Sequence, residues 1–210
     1  MARLEIITGP MFSGKSEELL RRLHLARHAE RTVLVIKPKD DIRAINEVVS
    51  RKKMNANDKT FEKFSCLPAF EVSTPEEIEA LIKEYNPDIL GIDEGQFFGT
   101  EDKKHSPELV NKFVTFIKKI LRCKKYKNLT VIICGLDMTS EGDEFGPMPQ
   151  FMTLADEVSK LRAVCFKCKQ WPANAEMTYY KGNKETVVDV GDAEKYEARC
   201  KNCWNDRSTE

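Results

Sequence analysis

The hydrophobic pattern alternates between two kinds of segment up to about residue 164. Short continuous apolar runs, typical of strands buried on both faces, occur at residues 4–8, 32–37, 89–93 and 130–136. Between them, apolar positions recur on one helical face in residues 15–29 and again from Pro107 onward. Strands that alternate with helices predict an α/β fold, in which helices cover both faces of a mostly parallel sheet.

A further helix is predicted from its start signal. Thr74 can cap the first turn, Pro75 suits the first helical position, and Glu77 completes a capping box. We expect this helix to end near Tyr85, before Pro87. By contrast, residues 38–70 have weak periodicity and many charges, which predicts a long flexible connection.

The chain changes character after Val164, where it becomes polar, rich in turns and cysteine-bearing. We therefore expect two units, an α/β domain over residues 1–164 and a small unit over residues 165–210. Cysteine pairs with two-residue spacers are the typical halves of a closed zinc site, and four thiolates leave no position open for catalysis. The predicted ligands of a structural zinc ion are Cys165, Cys168, Cys200 and Cys203. The alternative is four unrelated buried cysteines.

Composition narrows the possible partners. Lysine and arginine together number 34, and aspartate and glutamate together also number 34, so the formal net charge is zero. A chain with no net positive charge is not attracted as a whole to nucleic acid or to an anionic membrane. No segment approaches the ~20 apolar residues of a membrane helix. The first residues do not resemble a secretion signal. We therefore expect a cytoplasmic protein with reduced cysteines and no nucleic-acid or membrane partner.

A phosphate-binding loop follows the first predicted strand. It consists of Gly9, Pro10, Met11, Phe12, Ser13, Gly14, Lys15 and Ser16. Its glycines let backbone N–H groups surround phosphate oxygens, Lys15 can reach the β- and γ-phosphates, and the Ser16 hydroxyl can bind Mg²⁺. A chance glycine turn is the alternative, but a strand precedes the loop and a helix follows it. The loop predicts binding of a nucleoside triphosphate.

Two carboxylates end the third predicted strand. Phosphoryl transfer needs a carboxylate near Mg²⁺ and a group that accepts the proton of the nucleophile. Asp93 suits the first role, directly or through water, and Glu94 suits the second. The alternative is an ordinary solvated strand end. Arg43, which follows two aspartates, could stabilise the charge of the transferred group or lie in a solvated loop.

These features in this order resemble the thymidine kinase family whose members carry a zinc-bearing lasso domain. The resemblance covers nearly the whole chain. It is carried by the phosphate loop, Asp41-Ile42-Arg43, Asp93-Glu94-Gly95-Gln96-Phe97-Phe98, Gly135-Leu136-Asp137, Phe145-Gly146 and the cysteine quartet.

The resemblance implies ATP-dependent phosphorylation of the 5′-hydroxyl of thymidine. Glu94 matches the general base, Lys15 and Arg43 match groups that neutralise the phosphoryl charge, and Ser16 and Asp93 match the Mg²⁺ side. Asp41 and Gln96 belong to the implied nucleotide-binding set. The implied nucleoside site comprises Met11, Phe97, Leu136, Phe145, Thr178, Val187, Val188, Asp189, Val190, Gly191 and Tyr196. The family also implies a homotetramer and feedback inhibition by thymidine triphosphate.

One departure from the family concerns the nucleoside. Ser140 stands where the family typically places an aromatic residue that packs on it. Either Phe145 or another ring substitutes, or binding is weaker, or the accepted base differs. Two other functions stay open on the residues alone: another phosphate-loop enzyme, such as a nucleotide-hydrolysing motor with a zinc module, and a zinc-ribbon module that only senses nucleotide. The intact Glu94 argues against the second.

Overall fold

The computed structural model describes residues 1–39, 46–52, 62–101, 104–182 and 194–206. The strands are β1 Arg3–Thr8, β2 Val33–Pro38, β3 Glu47–Lys52, β4 Glu62–Pro68, β5 Phe70–Val72, β6 Ile89–Ile92, β7 Thr100–Glu101, β8 Lys104–His105, β9 Thr130–Gly135, β10 Glu157–Lys160, β11 Met177–Tyr180 and β12 Tyr196–Arg199. The helices are α1 Lys15–His28, α2 Pro75–Tyr85, α3 Pro107–Arg122, α4 Met148–Leu154 and α5 Lys201–Asn205. The predicted elements are therefore present, with ends that differ by one or two residues.

Six strands form the central sheet, in the order β10-β1-β9-β6-β2-β5. Every neighbouring pair is parallel, which confirms the predicted α/β fold. The four strands predicted from apolar runs are the four inner ones. The sequence pattern missed the two edge strands because β5 has only three residues and β10 is largely exposed, so neither carries a continuous apolar run.

Each face of the sheet has its own apolar core. On one face, residues such as Leu34 and Ile36 pack with buried residues of α2, α3 and α4. On the other, Val35 packs with Leu19 and Leu23 of α1. Successive side chains of β2 point to opposite faces, and both faces are covered. A strand in this position therefore has an unbroken apolar sequence. Within the described ranges, no helix combines the length and apolar character needed to cross a membrane.

The expectation of a structureless connection over residues 38–70 was wrong wherever the structure describes that segment. β3 and β4 form an antiparallel hairpin, and β5 joins the edge of the main sheet. Val48 pairs with Leu67, and both are buried in the core that α1 covers. The hairpin buries only one face, so it has too few apolar residues for the hydrophobic pattern of the sequence to predict its strands.

The capping box of α2 offers a direct test of local stability. The Thr74 hydroxyl accepts a hydrogen bond from the N–H of Glu77 at 3.2 Å, and the Glu77 carboxylate accepts one from the N–H of Thr74 at 3.2 Å. We expect Thr74→Ala to lower the free energy of unfolding by about 1 kcal/mol, measured by urea denaturation.

Thr115→Ala is the matched control, because Thr115 is exposed within α3 and caps no helix. It should leave stability unchanged or raise it by about 0.5 kcal/mol, because alanine is the better helix former. Equal losses in the two variants would show that the cap contributes nothing.

Candidate active site

The phosphate loop connects β1 to α1 through two backbone conformations that favour glycine. Gly9 has φ of 141°, and a Cβ there would lie only 2.4 Å from the carbonyl oxygen of Leu161. Gly14, directly before α1, has φ of 83°. The close backbone approach excludes a side chain at Gly9, and the positive φ at both positions favours glycine. The loop therefore ends with the N-terminus of α1, where N–H groups and the helix dipole favour an anion.

Two side chains tie the loop to itself. The Ser13 hydroxyl donates a hydrogen bond to the carbonyl oxygen of Pro10 at 2.8 Å. The Lys15 ammonium donates to the same oxygen, also at 2.8 Å. These bonds hold the Lys15 charge against the loop, beside the backbone N–H groups that can receive phosphate oxygens.

The two residues predicted for the Mg²⁺ side lie together. The Ser16 hydroxyl donates a hydrogen bond to Oδ1 of Asp93 at 3.3 Å, although the two are 77 positions apart in the chain. Asp93 is buried. A hydroxyl and a carboxylate are the oxygen ligands that Mg²⁺ takes in nucleotide sites, so this pair could hold the ion directly or through water.

Asp93 belongs to a row of polar side chains that the sequence reasoning did not identify. Lys37 in β2, Asp93 after β6 and Cys134 in β9 each directly follow one of three residues, Ile36, Ile92 and Ile133, that are paired across the sheet. Burial, together with the negative charge of Asp93, raises the pKa of the Cys134 thiol well above its ordinary value. Lys37 is only 1% exposed, and a buried cation requires compensating negative charge or acceptors nearby. The sequence signal for this buried lysine is its position at the end of the apolar run at residues 32–37.

Glu94 is held in a specific orientation. It is buried and has the left-handed backbone conformation, with φ of 53° and ψ of 38°. The fully buried Gln96 donates from Nε2 to Oε2 of Glu94. The other end of the same amide, Oε1, accepts a hydrogen bond from the N–H of Leu136 at 3.0 Å. Because a backbone N–H can only donate, the Gln96 amide must turn its NH₂ toward Glu94.

An apolar cluster is linked to this carboxylate through Gln96. The rings of Phe97 and Phe145 meet edge to face, with centroids 5.9 Å apart, and Leu136 packs against them. Three residues of the predicted nucleoside set are thus brought together, and Leu136 is also the backbone partner of Gln96. The neighbouring Phe98 instead stacks on Phe113 in the core, at 4.4 Å between ring centroids.

The C-terminal unit reaches the phosphate loop. Its strands β11 and β12 pair antiparallel, and Thr178 of β11 accepts a hydrogen bond at Oγ1 from the N–H of Met11, at 3.1 Å. Phe12 of the loop contacts Phe166, with ring centroids 5.3 Å apart. Two predicted nucleoside residues, Met11 and Thr178, therefore touch. Tyr196, a third, packs on Tyr180.

The four predicted zinc ligands converge. The sulfur atoms of Cys165, Cys168, Cys200 and Cys203 all lie within 4.8 Å of one another. Zinc–thiolate bonds of about 2.3 Å in a tetrahedron place sulfurs about 3.8 Å apart, so the cluster fits a zinc ion.

The thiols of this cluster differ in their electrostatics. Burial raises the pKa of Cys165, but hydrogen bonds from the backbone N–H groups of Cys168, Cys200 and Lys167 outweigh it and lower the pKa to about 6. Burial and the neighbouring thiols raise the pKa of Cys203 to about 12. Closely spaced thiols resist a second negative charge, and a bound cation relieves that repulsion.

Some predicted site residues lie outside the described part of the chain. They are Asp41, Arg43, Val187, Val188, Asp189, Val190 and Gly191. Their roles stay predictions.

Known proteins match both halves of the chain. The family model described as thymidine kinase matches residues 2–204. Thymidine kinases from strains 7448, J and 232 of Mesomycoplasma hyopneumoniae are each 37% identical to this chain over 201 residues, which is 95% of this chain and 94% of theirs. The matched span includes the phosphate loop, the two carboxylates and the cysteine quartet. This chain belongs to the thymidine kinase family.

Proposed function

We propose that this protein transfers the γ-phosphoryl group of ATP to the 5′-hydroxyl of thymidine, giving dTMP and ADP. Such a reaction salvages deoxynucleoside for DNA synthesis. Family membership supports both substrates. The observation that carries the proposal is the meeting of the Ser16–Asp93 pair with the Gln96-held Glu94 at one edge of the sheet.

The donor side of the proposed site is the phosphate loop. Residues 9–16 surround the phosphates of ATP with backbone N–H groups, and Lys15 and Arg43 neutralise the charge that spreads over the transferred group. Ser16 and Asp93 would hold Mg²⁺, which would offset the charge of the β- and γ-phosphates. Asp41 belongs to the proposed nucleotide set on family grounds, whereas Gln96, also expected there, has both ends of its amide engaged by Glu94 and Leu136.

The acceptor side is organised around Glu94. Its carboxylate accepts the proton of the 5′-hydroxyl as the oxygen attacks phosphorus, and Gln96 restricts the rotation of the carboxylate by holding Oε2. The cluster of Phe97, Phe145 and Leu136 supplies an apolar surface for the nucleoside. The remaining contacts are assigned to Met11, Thr178 and Tyr196 and to the backbone of residues 187–191.

The proposed architecture has two units. Residues 1–164 bind ATP, and residues 165–210 form a zinc-binding lasso that closes over the nucleoside. The bond between Met11 and Thr178 supports this arrangement because it joins the phosphate loop to the second unit. We further propose a homotetramer and feedback inhibition by thymidine triphosphate, both on family grounds. The cytoplasm is the proposed location, since seven free cysteines suit a reducing compartment.

The base preference can be tested with three acceptors. Thymidine, deoxyuridine and deoxycytidine are each supplied with ATP, and nucleoside-dependent ADP release is measured. We expect thymidine to give the highest kcat/KM. A preference for deoxycytidine would instead indicate a related deoxynucleoside kinase with altered base preference, as the Ser140 departure allows. If none of the three stimulates ADP release, the kinase proposal fails.

The role of Glu94 is tested by Glu94→Gln, which keeps the size of the side chain and removes its basicity. We expect kcat to fall by about 10²–10⁴-fold, because the 5′-hydroxyl loses its proton acceptor. ATP binding, measured by calorimetric titration, should be nearly unchanged.

Glu84→Gln is the matched control, since Glu84 is an exposed glutamate in α2. It should retain wild-type turnover. An unchanged kcat in Glu94→Gln would show that another group accepts the proton.

The zinc site is tested by Cys168→Ser, which removes one thiolate of the quartet. We expect loss of bound zinc, faster proteolysis within residues 165–206 and loss of thymidine binding, because metal and local folding are coupled. A chelator applied to the wild-type protein should have the same effect.

Cys66→Ser provides the control, because Cys66 lies in β4 outside the quartet. It should keep the wild-type zinc content in metal analysis. Pure, active wild-type protein without zinc would refute the proposed structural role.

A further inference from the structure

The loop between β9 and α4 forms a small closed structure beside the acceptor site. We call residues 137–145 the acceptor loop. Met138 pairs with Glu144 in an antiparallel bridge, and the N–H of Thr139 donates to the carbonyl oxygen of Asp143 at 2.9 Å. The loop begins after Leu136 and ends at Phe145, two members of the apolar cluster next to Glu94. Its position therefore decides how that apolar surface is presented.

The acceptor loop is attached to its surroundings at two places. At its base, the Lys160 ammonium lies 2.6 Å from a carboxylate oxygen of Asp137. At its tip, the indole N–H of Trp204 donates a hydrogen bond to the carbonyl oxygen of Ser140 at 3.1 Å. The indole also covers Gly142, where an added Cβ would lie 3.4 Å from Cη2 of the ring.

Trp204 is in turn held by the cysteine quartet. It directly follows Cys203 in α5, and its N–H donates to the carbonyl oxygen of Cys200 at 2.8 Å. Cys200 and Cys203 are thus within four residues of Trp204 in the chain. Their convergence with Cys165 and Cys168 sets the location of the ring relative to the rest of the C-terminal unit.

We propose that Trp204 is a positioning residue for the nucleoside, an inference that rests on the proposed kinase function. Its indole holds the tip of the acceptor loop and thereby keeps Phe145 and Leu136 in place beside Glu94. The bond uses a backbone carbonyl, so it needs no aromatic side chain at residue 140. A serine there is compatible with an ordered loop because the constraint comes from outside the loop.

Trp204 acts on the acceptor loop, whereas other residues of the same unit contact the phosphate loop. The C-terminal unit touches the phosphate loop through different residues, Thr178 and Phe166. Loss of the Trp204 hydrogen bond therefore loosens the nucleoside side while leaving the ATP contacts intact. A general disruption of the C-terminal unit would affect both substrates.

Trp204→Phe tests the proposal, because it removes the N–H donor and keeps an aromatic ring. We expect the KM for thymidine to rise about three- to tenfold, as for the loss of one hydrogen bond. The kcat and the KM for ATP should stay within about twofold of wild type, since only nucleoside binding is weakened. Zinc content, measured alongside, should match the wild-type protein.

Trp171→Phe is the matched control, since Trp171 is the other tryptophan of the chain and is 80% exposed in the same unit. It should have wild-type kinetics. It also leaves Trp204 as the single indole, whose emission we expect to change as thymidine saturates the protein. This second measurement stays informative if Trp204→Phe loses zinc.

The outcomes separate this inference from the function on which it rests. If the wild-type protein shows no thymidine-dependent ADP release, the proposed function fails. If it is active, two kinetic results for Trp204→Phe would refute the role of Trp204: an unchanged KM for thymidine, or equal increases in the KM values for thymidine and ATP. The role is also refuted if the fluorescence emission of Trp204 in Trp171→Phe does not change when thymidine is added.

Discussion

The parallel pairing of β9 with both β1 and β6 is the constraint on which the candidate site depends. Parallel strands bring their carboxyl ends to one edge of a sheet, where ligands of open α/β folds bind. Here that edge receives Ser16 from the loop after β1 and Asp93 from the end of β6, and the two form a hydrogen bond. Because β9 lies between β1 and β6, displacing it would separate Ser16 from Asp93.

Two residues at this edge have backbone conformations that are unfavourable in free energy. Phe12 and Glu94 both have positive φ, at 64° and 53°, which costs a non-glycine residue of order 1 kcal/mol or more. Such backbone persists only where surrounding contacts determine it. Gln96 provides that contact for Glu94 by linking its carboxylate to the N–H of Leu136. The Glu94 carboxylate and the apolar cluster are therefore connected through Gln96 and Leu136.

The cysteine quartet extends this organisation to the C-terminal unit. From Cys165 onward, the described residues form two short strands and one short helix, and just three of them, Cys165, Ala175 and Ala198, belong to the buried cluster there. Small units of this kind commonly depend on a metal for stability. The same unit contacts the phosphate loop at Met11 and Phe12 and the acceptor loop at Ser140. Its folding consequently affects both of these loops.

Sequence alone determined the elements whose signals are local: the four inner strands, the capped helices, the phosphate loop and the paired cysteines. Each follows from residues near one another in the chain. Only the tertiary structure decided the strand order, the edge strands and the β3–β4 hairpin, because weakly apolar segments become strands only when a partner covers them. It also decided that Gln96 holds Glu94, that the Lys37 side chain is buried, and that Trp204 bonds to Ser140. Contacts between residues far apart in sequence depend on register and packing, which no local pattern encodes.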